Sequence, residues 1–99
     1  MGGAEAGAET GRWISSFLDA MVAVNGASRN TQLAYGRDLL DFAGWLQRKG
    51  LGLAGADRQA VEAYLVHCDT EGLSKATRAR RLSSIRQLYR FAHEEGWRG

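Results

Sequence analysis

The chain has 99 residues, of which 44% are hydrophobic and 24% are charged, and its formal net charge is +2. A chain of this length forms one domain and buries a core without disulfides or metal. Its single cysteine, Cys68, excludes an internal disulfide and favours the reducing cytoplasm as the compartment. The chain has no apolar run of about eighteen residues, which argues against a membrane span, and no basic, apolar leader typical of a signal peptide.

Glycine marks the ends of the predicted elements, because the chain contains no proline. Residues 1–11, rich in Gly, Ala and Glu, are predicted to form a disordered, flexible tail before the domain at 12–97. The first helix is predicted from about Arg12 to Val24, and Asn25-Gly26 ends it, because both residues tolerate a left-handed C-cap. Apolar residues at helical spacing form its stripe: Trp13, Ile14, Phe17, Leu18, Met21 and Val22.

Serine and aspartate caps predict the next two helices. The second helix follows Ser28 and ends near Lys49, before Gly50. The third follows Asp57 and ends near Glu71. The predicted inward face of the second helix consists of Leu33, Leu39, Leu40, Phe42, Ala43 and Leu46. The predicted stripe of the third helix consists of Val61, Tyr64, Leu65 and Cys68.

The fourth helix is predicted from the N-cap Ser74 to about Glu95. Its apolar face consists of Leu82, Ile85, Leu88, Tyr89 and Ala92. The four elements together predict an all-α fold, a four-helix bundle with short loops.

Positive charge is concentrated in this last helix. Residues 74–99 carry seven Lys or Arg against two Asp or Glu. Several of the arginines lie in the first half of the helix, where they oppose the macrodipole, and no acidic residue lies four positions away to pair with them. These arginines destabilise the start of the helix without an evident structural benefit. This favours a polyanionic partner for them, above all duplex nucleic acid. The competing interpretation is a solvated surface.

The start of the second helix forms a weaker polar patch. It contains Ser28, Arg29, Asn30, Thr31, Gln32, Tyr35 and Arg37. Exposed N–H groups at a helix start can bind a phosphate, although simple capping explains the same residues. If both helix starts lay on one side of the domain, they would span a groove of DNA.

No pattern indicates an active site. His67 and His93 form no zinc-ligand pattern with Cys68. The chain also lacks a phosphate-binding loop, a nucleophile elbow and a paired-carboxylate motif. We therefore expect no catalytic residue, no metal and no cofactor in this chain.

Three blocks of the sequence carry a family resemblance. They are Phe17 to Ala20, then Ser28 to Leu39 with Phe42 and Trp45-Leu46, and finally Ser74 to Phe91. Within the third block, the residues that match the family pattern in order are Ser74, Thr77, Arg80, Leu82-Ser83, Ile85-Arg86 and Tyr89. The chain resembles the N-terminal SAM-like core-binding domain of tyrosine site-specific recombinases, the phage integrase family, with the Xer type most similar.

This resemblance implies that the domain binds duplex DNA in a sequence-directed way, as one half of a C-shaped clamp. A larger C-terminal catalytic domain of the same protein, absent from this chain, would close the clamp. The parent enzyme would cut and rejoin strands in DNA integration and site-specific recombination, together with other recombinase protomers. The DNA contacts implied by the match are Thr31, Tyr35, Arg37, Lys75, Thr77, Arg78, Arg80, Arg81 and Arg86.

Within that set, Arg80 and Arg81 are expected at base edges, and Arg86 has an acidic residue of the third helix as an alternative partner. About five or six phosphate contacts predict a slope of about −5 for log affinity against log salt. Alanine at both Arg80 and Arg81 is expected to weaken duplex binding far more than thermal stability.

Two other classes fit the same residues. One is a helical protein–protein interaction module, which would use Trp45, Trp97 and the first helix, with the basic patch facing an acidic partner. The other is a helix-turn-helix regulator, although the helices joined at Gly72-Leu73 are long for that motif.

Overall fold

The computed structural model describes residues 3–97, which form four α-helices with short connections. The helices are α1 (Gly3–Asn25), α2 (Arg29–Arg48), α3 (Arg58–Thr70) and α4 (Lys75–Glu94). No strand occurs within this described range. The predicted all-α, four-helix fold class is confirmed. Each of these helices is too short or too polar to span a bilayer.

Helix α1 starts earlier than its apolar stripe predicts. It begins at Gly3, whereas the sequence places its start near Arg12. Alanine and glutamate, which have high helix propensities, make up five of the nine residues 3–11, and the three glycines among them do not end the helix. The flexibility of residues 1–11 stays a prediction, and residues 1 and 2 lie outside the described range.

The other three helices start at the predicted caps. The side chains of Ser28, Asp57 and Ser74 each accept a hydrogen bond from the backbone N–H three residues further on. Each of the four helices is followed by a glycine with positive φ, the conformation that a helix C-cap favours. These glycines are Gly26, Gly50, Gly72 and Gly96.

The core lies where the four helices meet. Phe42 and Tyr64 are its largest fully buried side chains, and their rings pack edge to face with centroids 5.0 Å apart. Helix α1 adds Trp13, Ile14, Phe17 and Met21, and α4 adds Ile85, Leu88 and Ala92. Cys68 is fully buried, as predicted for a small core residue.

Of the two tryptophans that suggested an interaction surface, Trp45 belongs to this core and Trp97 is partly buried against it. Trp45 is only 7% exposed and packs against Tyr64. Trp97 stacks on Trp13 with ring centroids 5.3 Å apart and meets Phe91 edge to face. The interaction-module interpretation therefore loses the aromatic side chains on which it depended.

The inward face predicted for α2 is partly wrong. Leu33 and Leu40 are 45% and 60% exposed, whereas Asp38 is only 1% exposed. The side of α2 that faces the neighbouring helices carries Leu39, Phe42 and Leu46. Asp38 lies on that same side, four residues before Phe42. A charged side chain thus occupies a position on the buried face.

Candidate nucleic-acid interface

Helices α2 and α4, which carry all the predicted DNA contacts, pack against each other in antiparallel sense. The side-chain hydrogen bonds that join them include those between Tyr35 and Gln87 (3.2 Å), Asp38 and Ser84 (3.2 Å), and Asp41 and Arg81 (2.8 Å). Residue numbers rise along α2 as they fall along α4. The two helix starts therefore lie on opposite sides of the contact region, each about 10 Å from it, rather than side by side.

The N-termini of α2 and α4 are capped in the same way. The hydroxyls of Ser28 and Ser74 each donate to the Oγ1 of the threonine three positions later, Thr31 or Thr77, at 3.0 Å. They also accept the backbone N–H of that threonine, at 3.2 Å and 3.1 Å. Because each threonine accepts from its serine, its own hydroxyl proton remains available to an acceptor outside the domain.

Apart from Arg48 at the end of α2, four exposed cations on these helices make no ion pair with another residue in the described range. They are Arg29, Arg37, Lys75 and Arg86. Arg29 and Lys75 directly follow the capping serines. The acidic residues of helix three, considered as partners of Arg86, are engaged elsewhere, since Glu62 pairs with Arg58 at 3.3 Å and Asp69 pairs with Arg78 at 3.2 Å. Arg86 is therefore open to solvent.

Arg80 and Arg81, in contrast, are bound to carboxylates of α2. Arg80 donates through Nε and Nη2 to both oxygens of Asp38, at 2.9 Å and 3.0 Å. Arg81 donates through Nη1 to Asp41 at 2.8 Å, and its side chain is only 19% exposed. The inference that these arginines lack acidic partners is wrong, because the partners lie on the neighbouring helix.

Arg78 is also paired. Its Nη1 lies 3.2 Å from Oδ1 of Asp69 at the end of α3, and its Nε is buried without a hydrogen-bond partner. Fewer of its N–H groups are therefore available to a phosphate than the sequence suggests.

The buried carboxylate of Asp38 accounts for the positions of Arg80 and Arg81. This carboxylate is almost completely buried and accepts from Arg80 and Ser84. A buried carboxylate costs several kcal/mol unless a cation and hydrogen bonds compensate for it. The hydrogen bond to Asp38 accordingly raises the pKa of Arg80 above its ordinary value. One sequence signal was available: Asp38 precedes Phe42 by four residues, on the face that the apolar stripe buries.

A second polar contact joins three helices. The hydroxyl of Tyr64 donates to Asp41 at 2.6 Å and accepts from Arg81 at 2.9 Å. Burial, and then the hydrogen bond to Asp41, raise the pKa of Tyr64 above its ordinary value. The phenol therefore keeps its proton, and Arg81 serves as an internal link between α2, α3 and α4.

The raised pKa of Tyr64 predicts a loss of stability at alkaline pH. The unfolded phenol titrates near pH 10, so above about pH 10 the unfolded chain releases a proton that the folded chain holds, and unfolding becomes more favourable. Below that pH the contribution is fully present. Urea denaturation at increasing pH should show a steeper alkaline loss for the native chain than for Tyr64→Phe. Parallel curves for the two proteins would contradict the assignment.

The sequence of this four-helix domain matches a known protein family. Residues 14–96 match the family described as the phage integrase N-terminal SAM-like domain. The four helices therefore form a SAM-like domain, and the chain belongs to this family. The resemblance inferred from the three sequence blocks is confirmed.

Within this family, the chain is similar to bacterial tyrosine recombinases named XerD. It is 49% identical to that of Caulobacter vibrioides over 86 residues, 41% identical to that of Agrobacterium fabrum over 99 residues and 47% identical to that of Bradyrhizobium diazoefficiens over 83 residues. The matches cover 87%, 100% and 84% of this chain but 28%, 30% and 26% of those proteins. The chain thus spans less than a third of the length of these relatives. No solved structure matches it.

Proposed function

We propose that the chain binds duplex DNA in a sequence-directed way, as the N-terminal half-clamp of a tyrosine recombinase. The observation that carries the proposal is the set of exposed, unpaired cations on α2 and α4 other than Arg48 at the end of α2: Arg29, Arg37, Lys75 and Arg86. Cations that bind no carboxylate of their own protein are free to replace the counterions of DNA phosphates. Membership of the phage integrase family supports the choice of duplex DNA as the polyanion.

The hydroxyl groups of the site complement these charges. Thr31 and Thr77 each have a proton free for a phosphate oxygen, and the Tyr35 hydroxyl, which accepts from Gln87, has one as well. Contacts of this kind set the register of a protein on the duplex without reading its sequence. The two helix starts lie about 10 Å beyond opposite ends of the α2–α4 contact, so they would meet phosphates at separate places on the duplex rather than enter one major groove, which is only about 12 Å wide.

We assign different roles to the predicted contact arginines, according to their exposure and ion pairs. Arg37 and Arg86 are the free ones and suit phosphates, together with Lys75. Arg78 and Arg81 act chiefly inside the domain, through Asp69 and Asp41. Arg80 combines both roles, because it is bound to Asp38 yet half-exposed.

The larger enzyme is part of the same proposal. Its C-terminal catalytic domain would close the clamp from the other side of the DNA and supply strand cleavage and rejoining. Other recombinase protomers would share the DNA during integration or site-specific recombination in the cytoplasm. This chain contributes binding and positioning, and no residue of it is assigned a catalytic role.

Salt dependence tests the proposal directly. Four phosphate contacts predict a slope of about −4 for log affinity against log salt, measured by fluorescence anisotropy with a labelled duplex of random sequence. We expect Arg37→Ala with Lys75→Ala to weaken binding and to reduce the slope by about two.

The matched control is Arg12→Ala with Arg58→Ala, which removes the same charge from α1 and α3. This control should leave the slope nearly unchanged. Equal losses in the two double variants would indicate attraction by net charge alone and would contradict a site on α2 and α4. Absence of duplex binding at low salt by the native chain would overturn the proposed function.

A further inference from the structure

The ion pair between Asp38 and Arg80 occupies only one edge of the arginine. Nε and Nη2 donate to the two carboxylate oxygens. Nη1 makes no hydrogen bond to any residue in the described range and is not among the buried polar atoms that lack a partner. The Arg80 side chain is 47% exposed. Its free edge, with the N–H groups of Nη1 and the second N–H of Nη2, therefore faces solvent.

Asp38 holds this guanidinium in one orientation. The Asp38 side chain is only 2% exposed and both of its oxygens are bound by Arg80, so the carboxylate has little freedom to turn. Two parallel bonds from a fixed carboxylate determine the plane of the guanidinium as well as its position. An arginine ordered in this way gives up less side-chain entropy when it binds a further group.

The neighbouring arginine is more enclosed. Nη1 of Arg81 is engaged by Asp41 and Tyr64, and its Nε is buried 3.7 Å from Asp38. Of the two arginines expected at base edges, Arg80 is the more accessible, with 47% of its side chain exposed against 19% for Arg81.

We propose that Asp38 is a positioning residue and that the free edge of Arg80 recognises guanine in the major groove. This inference rests on the proposed DNA binding and names the group that would be read. Guanine presents O6 and N7 side by side, and a bidentate arginine is the commonest specific contact to it. A phosphate also accepts two N–H groups, but it needs only a nearby cation, as Arg37 and Lys75 provide, and no fixed plane.

The test is a selection of duplexes from a library of random sequence, using the 99-residue chain and three variants. Arg80→Lys keeps the charge but lacks the paired N–H groups of a guanidinium. Asp38→Asn keeps the size of the side chain but weakens the ion pair that orients Arg80. Ser84→Ala is the control, because it removes one hydrogen bond from Asp38 and leaves the ion pair intact. Affinity for a random duplex and thermal unfolding are measured for each protein.

We expect the native chain to enrich guanine at a fixed position by about tenfold or more. Arg80→Lys and Asp38→Asn should lose that enrichment while still binding random duplex. Ser84→Ala should retain it. Should Asp38→Asn unfold, Arg80→Lys decides the question, since its binding to random duplex reports a folded domain.

Two results would overturn the inference and leave the proposed DNA binding intact. One is duplex binding by the native chain with no guanine preference, or with a preference that Arg80→Lys retains, as expected for a phosphate contact. The other is an equal loss of preference in Ser84→Ala, which would trace the effect to the fold. No binding of any duplex by the native chain would instead refute the proposed function.

Discussion

Replacing both Arg80 and Arg81 with alanine is expected to destabilise the domain by about 3–5 kcal/mol. The double variant leaves the Asp38 carboxylate buried without a cation and removes the Arg81 link to Asp41 and Tyr64. The total free energy of unfolding of a small domain is only about 5–15 kcal/mol. A loss of this size would therefore raise the unfolded fraction strongly. This reverses the expectation from sequence, in which the two arginines were surface residues with little effect on stability. Urea denaturation followed by circular dichroism measures the change.

The control for this prediction removes the same charge from exposed positions. Arg37→Ala with Lys75→Ala should shift the denaturation midpoint little, because neither side chain has a partner in the described range. Adding Asp38→Asn to the Arg80/Arg81 double variant should recover part of the lost stability, since an amide carries no charge to compensate. Equal midpoints for the two double variants would mean that Asp38 does not depend on the arginines.

The positions of the helices could be predicted from local chemistry. Ser28, Asp57 and Ser74 were identified as caps because their side chains bond to the backbone three residues away. Gly50 and Gly72 were identified as ends because few other residues adopt a positive φ. Each of these signals acts over one turn of chain, which a single sequence displays completely.

The pairing of side chains between helices could not be predicted in the same way. Asp38 and Arg80 are 42 positions apart and meet only because α2 and α4 pack antiparallel in one particular register. The carboxylates that pair with Arg80 and Arg81 lie on α2 rather than four residues away on α4. The DNA-contact surface on α2 and α4 therefore stays a prediction, and three of its arginines have carboxylate partners inside the protein that the sequence does not reveal.

Helix faces are predictable only where the apolar stripe is narrow. The predicted inward face of α2 included Leu33 and Leu40, which are largely exposed, because six apolar residues on one helix cover more than the side that its neighbours can bury. Leucine at such positions is common at protein surfaces. The discriminating residue was again Asp38, whose burial shows which side of α2 faces α4.

Phe42→Ala and Leu40→Ala form a matched pair that tests this orientation. Phe42 is fully buried, and its ring meets those of Tyr64 and Tyr89 at centroid distances of 5.0 Å and 6.5 Å. Truncating a buried phenylalanine costs about 3–5 kcal/mol, through lost burial and the cavity that remains.

Leu40 lies two positions earlier on the same helix and is 60% exposed. Its replacement should change the free energy of unfolding by no more than about 0.5 kcal/mol, and the higher helix propensity of alanine offsets part of any loss. Urea denaturation of both variants, with slopes compared as well as midpoints, measures the difference. Comparable losses at the two positions would show that α2 is rotated from the orientation described, and the Asp38–Arg80 pair, which depends on that orientation, would then be wrong as well.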